Sequence, residues 1–153
     1  MKTFISLICV LTLYVGCSSD DGESQAEAFA RNEAEITAYL ETNELTATRT
    51  NSGLRYITKT EGTGASPTLN SKVKVIYKGY FLDGRTFDQS KPVAEFNAGG
   101  LIPGFTEGLL LMKEGGESTF LLPARIGYGA NGAGSSIPGN TVILFDVTLI
   151  EVL

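Results

Sequence analysis

The sequence predicts an α+β fold: an antiparallel sheet curled into a half-barrel around one short helix, with a longer helix ahead of it. Three observations carry this reading. Val73, Val75 and Tyr77 alternate with Lys72, Lys74 and Lys78, giving a strand with one apolar face and one solvated face. Ile143, Phe145, Val147 and Leu149 repeat the same two-residue period near the C-terminus and face the inner surface of the half-barrel. Ser24 followed by Glu27 is a capping-box pattern, which opens a helix rather than a strand.

Taken in order, that helix runs from residue 24 to about Glu41, with Phe29, Ile36, Tyr39 and Leu40 near one face and Ala, Glu or Gln at most other positions. It is suited to docking on the domain, to dimerisation or to spacing the domain from a membrane. Residues 46–52 (TATRTNS) form a polar linker, and Gly53 leads into a strand over 54–59. Residues 61–67 are a loop, 72–82 a strand and 85–88 another. Asp83-Gly84 stands between the last two, where a two-residue hairpin turn is expected. Residues 105–112 are a brief helix ended by Lys113 and the Gly115-Gly116 pair. Strands over 117–122 and 141–152 complete the set, with no internal repeat.

At 153 residues, with 42% hydrophobic and 19% charged side chains, the composition is that of one globular domain plus a tail. A net charge of −5 and a pI near 4.7 argue against nucleic acid as a partner, because phosphate binding needs clustered Lys and Arg. Histidine is absent, which excludes Ser-His-Asp triads and His-rich zinc sites. Both cysteines fall within the first 17 residues, leaving the domain without disulfide or thiol chemistry.

That N-terminus is itself informative. Lys2 gives a positive end, and residues 4–15 form an apolar run too short to span a membrane. The segment fits a secretory signal. Gly16 before Cys17, followed by Ser18-Ser19-Asp20-Asp21-Gly22, resembles a bacterial lipoprotein cleavage site. The resemblance implies removal of residues 1–16, acylation of Cys17 and a flexible tether through residue 23. Several acyl chains anchor firmly where one binds only marginally. By analogy with lipoprotein sorting, Ser18 points to a lipid-anchored place in the cell envelope at the outer membrane, on its periplasmic or surface face. A plain signal peptide with a stray Cys is the alternative. Residues 24–52 then hold the helix and linker, and 53–153 the principal domain.

Three segments of that domain fit one site: VIYKGYFLDGRTFD (75–88), LIPGF (101–105) and GYGANGAGSSIPGNTVILFDV (127–147). In this order and spacing they resemble the FKBP-type peptidyl-prolyl isomerases, and the likeness runs from about Gly53 to Leu153. The resemblance implies the FKBP-like half-barrel and cis–trans isomerisation of X-Pro bonds in proline-containing polypeptides. It also implies FK506-type macrolides as candidate ligands. Rotation about the bond makes and breaks nothing covalent, so it calls for no nucleophile, cofactor or metal.

By the same resemblance, Tyr77, Phe87, Phe96, Phe105 and Phe145 wall the pocket that receives the prolyl ring, with Leu101 and Ile102 at its rim and Ile137 closing the far side. The Ile102 N–H is expected to donate to a substrate carbonyl, and Tyr128 to offer its hydroxyl to the substrate backbone. Asp88 is expected to face the reacting amide, held by neighbours such as Tyr77. Tyr77, Asp88 and Tyr128 are thus the candidate catalytic groups. Read singly, Phe87, Phe96 and Phe145 also fit a strand core, Asp88 a turn cap and Tyr77 a half-buried core tyrosine. One departure stands out. The pocket floor in this family is most often tryptophan, whereas this chain has no Trp and places Phe105 there.

Gly127-Tyr128-Gly129-Ala130-Asn131-Gly132 fits the G-x-G-x-x-G pattern of dinucleotide sites. That fingerprint needs a helix directly after it, and Ala133-Gly134-Ser135-Ser136-Ile137-Pro138-Gly139 cannot open one. The match is accidental. Besides an isomerase for exported proteins, two readings stand: a non-catalytic module that binds a proline-containing partner, and a chaperone scaffold. The large insert carried by dedicated chaperone relatives does not occur in this chain.

Overall fold

The computed structural model describes residues 23–153. The expected signal segment (1–16), the Cys17 lipidation site and the tether up to residue 22 lie outside the described residues.

The first helix, α1 (Gln25–Thr42), starts as its capping box requires. Ser24 Oγ accepts from the Glu27 N–H at 3.2 Å, and Glu27 Oε2 accepts from the Ser24 N–H at 3.0 Å. Its inward row is Ala28, Asn32, Ile36 and Leu40. Seven strands follow: β1 (Thr48–Arg49), β2 (Arg55–Thr60), β3 (Lys72–Tyr80), β4 (Thr86–Gln89), β5 (Ala94–Asn97), β6 (Glu117–Leu122) and β7 (Ile143–Val152). They form one antiparallel sheet in the order β1-β2-β6-β7-β3-β4, with β5 also paired to β3. A short helix, α2 (Pro103–Leu110), lies between β5 and β6.

β6 and the start of β7 are buried on both faces because each face of the sheet there has its own helix. Leu54, Val73, Val75, Phe120, Leu122, Ile143, Phe145, Val147 and Leu149 point inward with Phe105 and Leu109 of α2. Leu121, Val142 and Leu144 point outward and are covered by Ile36 and Leu40 of α1. Neighbouring residues on β6 and β7 therefore enter different cores, as the two-residue strand period dictates. Of the three roles open to the N-terminal helix, docking is the one observed. α2 approaches β6 closely because residue 108 is glycine: a Cβ there would sit 2.5 Å from Phe120 Cε2.

Several local expectations are corrected. The polar linker contributes a two-residue strand, β1, which pairs with β2. β5, unforeseen between Pro92 and the Gly99-Gly100 pair, aligns Phe96 with Val73 and Ala94 with Val75. The turn after β3 has three residues rather than two: Phe81 N–H donates to Arg85 O at 3.0 Å, around Leu82-Asp83-Gly84. Gly84 there takes φ +84°, a left-handed conformation that suits glycine. α2 begins at Pro103, whose fixed φ suits a first helical position, and ends at Leu110. The Gly115-Gly116 pair instead forms the turn into β6, with the Gly115 N–H donating to Leu149 O at 2.8 Å.

Candidate active site

The half-barrel opens on a cavity of about 300 Å³ between β3, β4, β5, β7, α2 and the segment after β6. Its floor is Phe105, on the first turn of α2 and only 4% exposed. The Phe105 ring meets Phe145 edge-on at 4.9 Å, Tyr77 at 6.0 Å and Phe120 at 5.9 Å between centroids. Such T-shaped contacts fix ring orientation as well as burying area. Phe96 reaches the wall from β5, 5.9 Å from Tyr77. Leu101 and Ile102 form the rim where the chain enters α2. Ile102 is the residue ahead of the helix, and its N–H has no backbone partner among the described residues. That donor is available at the rim.

The polar side of the cavity is built by β3 and β4. Tyr77 points inward from β3, and its hydroxyl donates to Asp88 Oδ2 at 2.7 Å. Asp88 Oδ1 accepts from the Gln89 N–H at 2.8 Å, so both carboxylate oxygens are held while the residue stays exposed. Ser90 locks the pairing: its Oγ accepts from the Tyr77 N–H at 2.9 Å and its N–H donates to Tyr77 O at 3.0 Å. Burial, then the hydrogen bond to Asp88, pushes the Tyr77 hydroxyl up to about 12. Tyr128 also lines the cavity. Burial and then the Asp88 charge raise its hydroxyl as well. The Tyr128 side chain follows a single 3₁₀ turn, Ala124–Ile126, that leads out of β6. Both phenols are thus neutral hydrogen-bond donors at neutral pH.

The structure brings eight of the ten anticipated site residues to the cavity wall: Tyr77, Asp88, Phe96, Leu101, Ile102, Phe105, Tyr128 and Phe145. Phe87 and Ile137 stand behind it. Phe87 packs on Phe81 and Phe145, at 5.1 and 5.6 Å between centroids. Ile137 is 4% exposed and belongs to the core. Sequence reasoning missed Gly100, which lines the mouth, and Gly79, which makes the wall possible. A Cβ on Gly79 would lie 2.6 Å from Phe87 Cε2 and 2.8 Å from Phe145 Cε1. Glycine within a strand is a signal of close approach, and Gly79 sits inside the motif segment 75–88. Among the described residues no group of three or more His, Cys, Asp or Glu is placed to hold a metal ion.

Fold and site together define a class: a curled antiparallel half-barrel with a hydrophobic, carboxylate-edged pocket over its short helix. Residues 64–150 match the family model of FKBP-type peptidyl-prolyl cis-trans isomerases. The chain belongs to that family. It is 38% identical over 143 residues to the probable FKBP-type isomerase FkpA of Neisseria meningitidis serogroup B, covering 85% of this chain and 52% of that protein. It is 38% identical over 133 residues to the FKBP-type 22 kDa isomerase of Escherichia coli K12, covering 83% of this chain and 64% of that protein. The chain spans about half the length of the curated relatives it matches. A solved peptidyl-prolyl isomerase from Pseudomonas syringae pv. tomato superposes with a TM-score of 0.75 at 29% identity, over 88% of this chain and 98% of that one. FkpA from Escherichia coli superposes at 0.72 with 34% identity, over 84% and 62%.

Proposed function

We propose that this protein catalyses cis–trans isomerisation of X-Pro bonds and assists the folding of exported proteins. The observation that carries the reading is the meeting of Tyr77, Asp88 and Tyr128 with the rings of Phe96, Phe105 and Phe145 around one cavity.

The reaction needs little more than such a cavity. Twisting an X-Pro amide costs about 18–20 kcal/mol and takes tens to hundreds of seconds unaided. The planar amide is charge-separated by resonance and the twisted one much less so. An apolar pocket therefore favours the twisted form. A 10⁴-fold acceleration requires only about 5.5 kcal/mol of differential binding. The prolyl ring sits on Phe105 between Phe96 and Phe145. The Ile102 N–H and the Tyr128 hydroxyl hold the flanking backbone, and Asp88, oriented by Tyr77, faces the rotating amide. The apolar rim at Leu101 and Ile102 favours a large apolar residue before the proline.

A protease-coupled assay on a prolyl peptide tests this. The wild-type protein is expected to accelerate isomerisation well above an Asp88→Val, Tyr128→Phe double variant. Equal rates in the two proteins, both folded, would overturn the reading. FK506 is expected to compete for the same pocket, with Phe105 in place of the usual tryptophan weakening the drug more than the catalysis.

The protein acts, in the same proposal, from a lipid anchor at Cys17, at the outer membrane of the cell envelope. The support is the sequence around Gly16-Cys17-Ser18 and the acidic tether. Incorporation of labelled palmitate that is abolished by Cys17→Ser is the expected result. Unlabelled wild-type protein would rule the anchor out.

A further inference from the structure

The inward row of α1 holds one residue that docking alone does not explain. Ala28, Ile36 and Leu40 are apolar, but Asn32, in the same row of four-residue steps, is polar and 1% exposed. An apolar residue of similar size would serve docking better, since burying an amide is unfavourable unless it is hydrogen-bonded. Asn32 is fully bonded. Its Oδ1 accepts from the Ala124 N–H at 2.8 Å, and its Nδ2 donates to Asn140 O at 3.0 Å and to Glu35 Oε2 at 3.1 Å.

Those two backbone partners bracket the segment that carries Tyr128. Ala124 O accepts from the N–H groups of Gly127 at 2.9 Å and Gly129 at 2.8 Å, the two neighbours of Tyr128. Gly129 O in turn accepts from the Asn140 N–H at 2.9 Å. The hydrogen bonds therefore close a ring: Asn32 to Ala124, Ala124 to Gly129, Gly129 to Asn140, and Asn140 back to Asn32. Asn140 holds an uncommon left-handed φ of 55° while presenting its carbonyl to α1. Arg31 Nη2 donates to that same carbonyl at 3.0 Å. Beside the ring, the Arg125 guanidinium stacks on Phe29 of α1 at 3.4 Å.

We infer that Asn32 is a positioning residue for the active site: from the outer face of the sheet it sets the backbone on both sides of Tyr128 and so aims the phenol into the cavity. The inference rests on the isomerase reading for its catalytic consequence, and on the ring alone for its structural one.

The test is a double-mutant cycle on the full-length protein with Asn32→Leu and Tyr128→Phe, read by prolyl isomerase kinetics and by amide hydrogen exchange. Asn32→Leu is expected to lower kcat/KM about tenfold, since small misplacements of a contact group cost up to about 10²-fold. In the Tyr128→Phe background it is expected to add little, because the two changes act through one hydroxyl. Exchange at Gly127, Gly129 and Asn140 is expected to rise about tenfold while β7 is unchanged. Should Asn32→Leu fail to fold, Asn32→Asp keeps the acceptor for Ala124 and loses the donor to both Asn140 O and Glu35 Oε2, and the same pattern is expected. Fully additive losses, or unchanged exchange in the loop of a folded variant, would overturn the inference. If the wild type shows no catalysis, the isomerase reading falls, and loop exchange still decides whether Asn32 holds Tyr128.

Discussion

The Tyr77 hydroxyl and the Asp88 carboxylate, on paired strands β3 and β4, meet at 2.7 Å at the edge of the cavity. Tyr77 is thereby both wall and clamp: its ring packs with Phe105 and Phe96, and its oxygen orients the carboxylate. Tyr77→Phe keeps the ring and frees Asp88. Because Asp88 is exposed, water replaces the lost partner and thermal stability is expected to change little, while the misaimed carboxylate is expected to lower kcat/KM about fivefold. Steady-state kinetics beside a melting curve check this.

Alkaline pH probes the same phenols. Burial and then Asp88 raise Tyr77 from an ordinary 10.0 up to about 12, and burial first of all raises Tyr80 and Tyr128. The folded protein therefore keeps protons that the unfolded chain releases near pH 10. The stability Tyr77 contributes is complete below about pH 10 and is lost as pH rises through about 12, and Tyr80 and Tyr128, raised in the same direction, act with it. Denaturant midpoints measured from pH 7 upward are expected to show no tyrosine-linked fall until about pH 10. A tyrosine-linked decline setting in near pH 8 would contradict the assignment.

Gly79→Ala introduces a Cβ 2.6 Å from the Phe87 ring and 2.8 Å from the Phe145 ring. Neither ring can retreat without opening the core behind Asp88. A loss of about 1–3 kcal/mol is expected, the usual cost of overpacking, together with a weaker site. Chemical denaturation and the isomerase assay read the two effects separately.

Ile36→Ala tests the docking of α1. Ile36 is fully buried against Leu121, Val142 and Leu144. Its truncation is expected to cost about 2–5 kcal/mol by denaturant titration. A cost near zero would mean that α1 does not rest on the sheet in solution.

Much of the fold was legible in the chain. The alternation in β3 and β7 and the capping box at Ser24 are local signals, and each marks an element that is present. β6 (Glu117–Leu122) lies where it was expected. β5 and the two-residue β1 escaped because a four-residue strand beside Pro92 has too little pattern to stand out, and its pairing with β3 is what makes it a strand. The three-residue turn escaped for a related reason: Asp-Gly suits more than one hairpin geometry, and the register of the strands chooses among them.

The site divides in the same way. Its residue types and their order along the chain were readable, since Tyr77, Asp88, Phe105 and Tyr128 lie in short motifs. The sequence by itself determined the absence of histidine and the inventory of rings, which are composition, and the periodicity and the caps, which depend on near neighbours in the chain. Only the tertiary structure decided that Phe87 and Ile137 stand behind the wall, that Gly100 lines the mouth, and that Asn32 grips both sides of Tyr128. The physical reason is distance along the chain. Asn32 meets Ala124 and Asn140 across about a hundred residues, and a contact of that kind exists only after the sheet has closed and α1 has docked on its outer face.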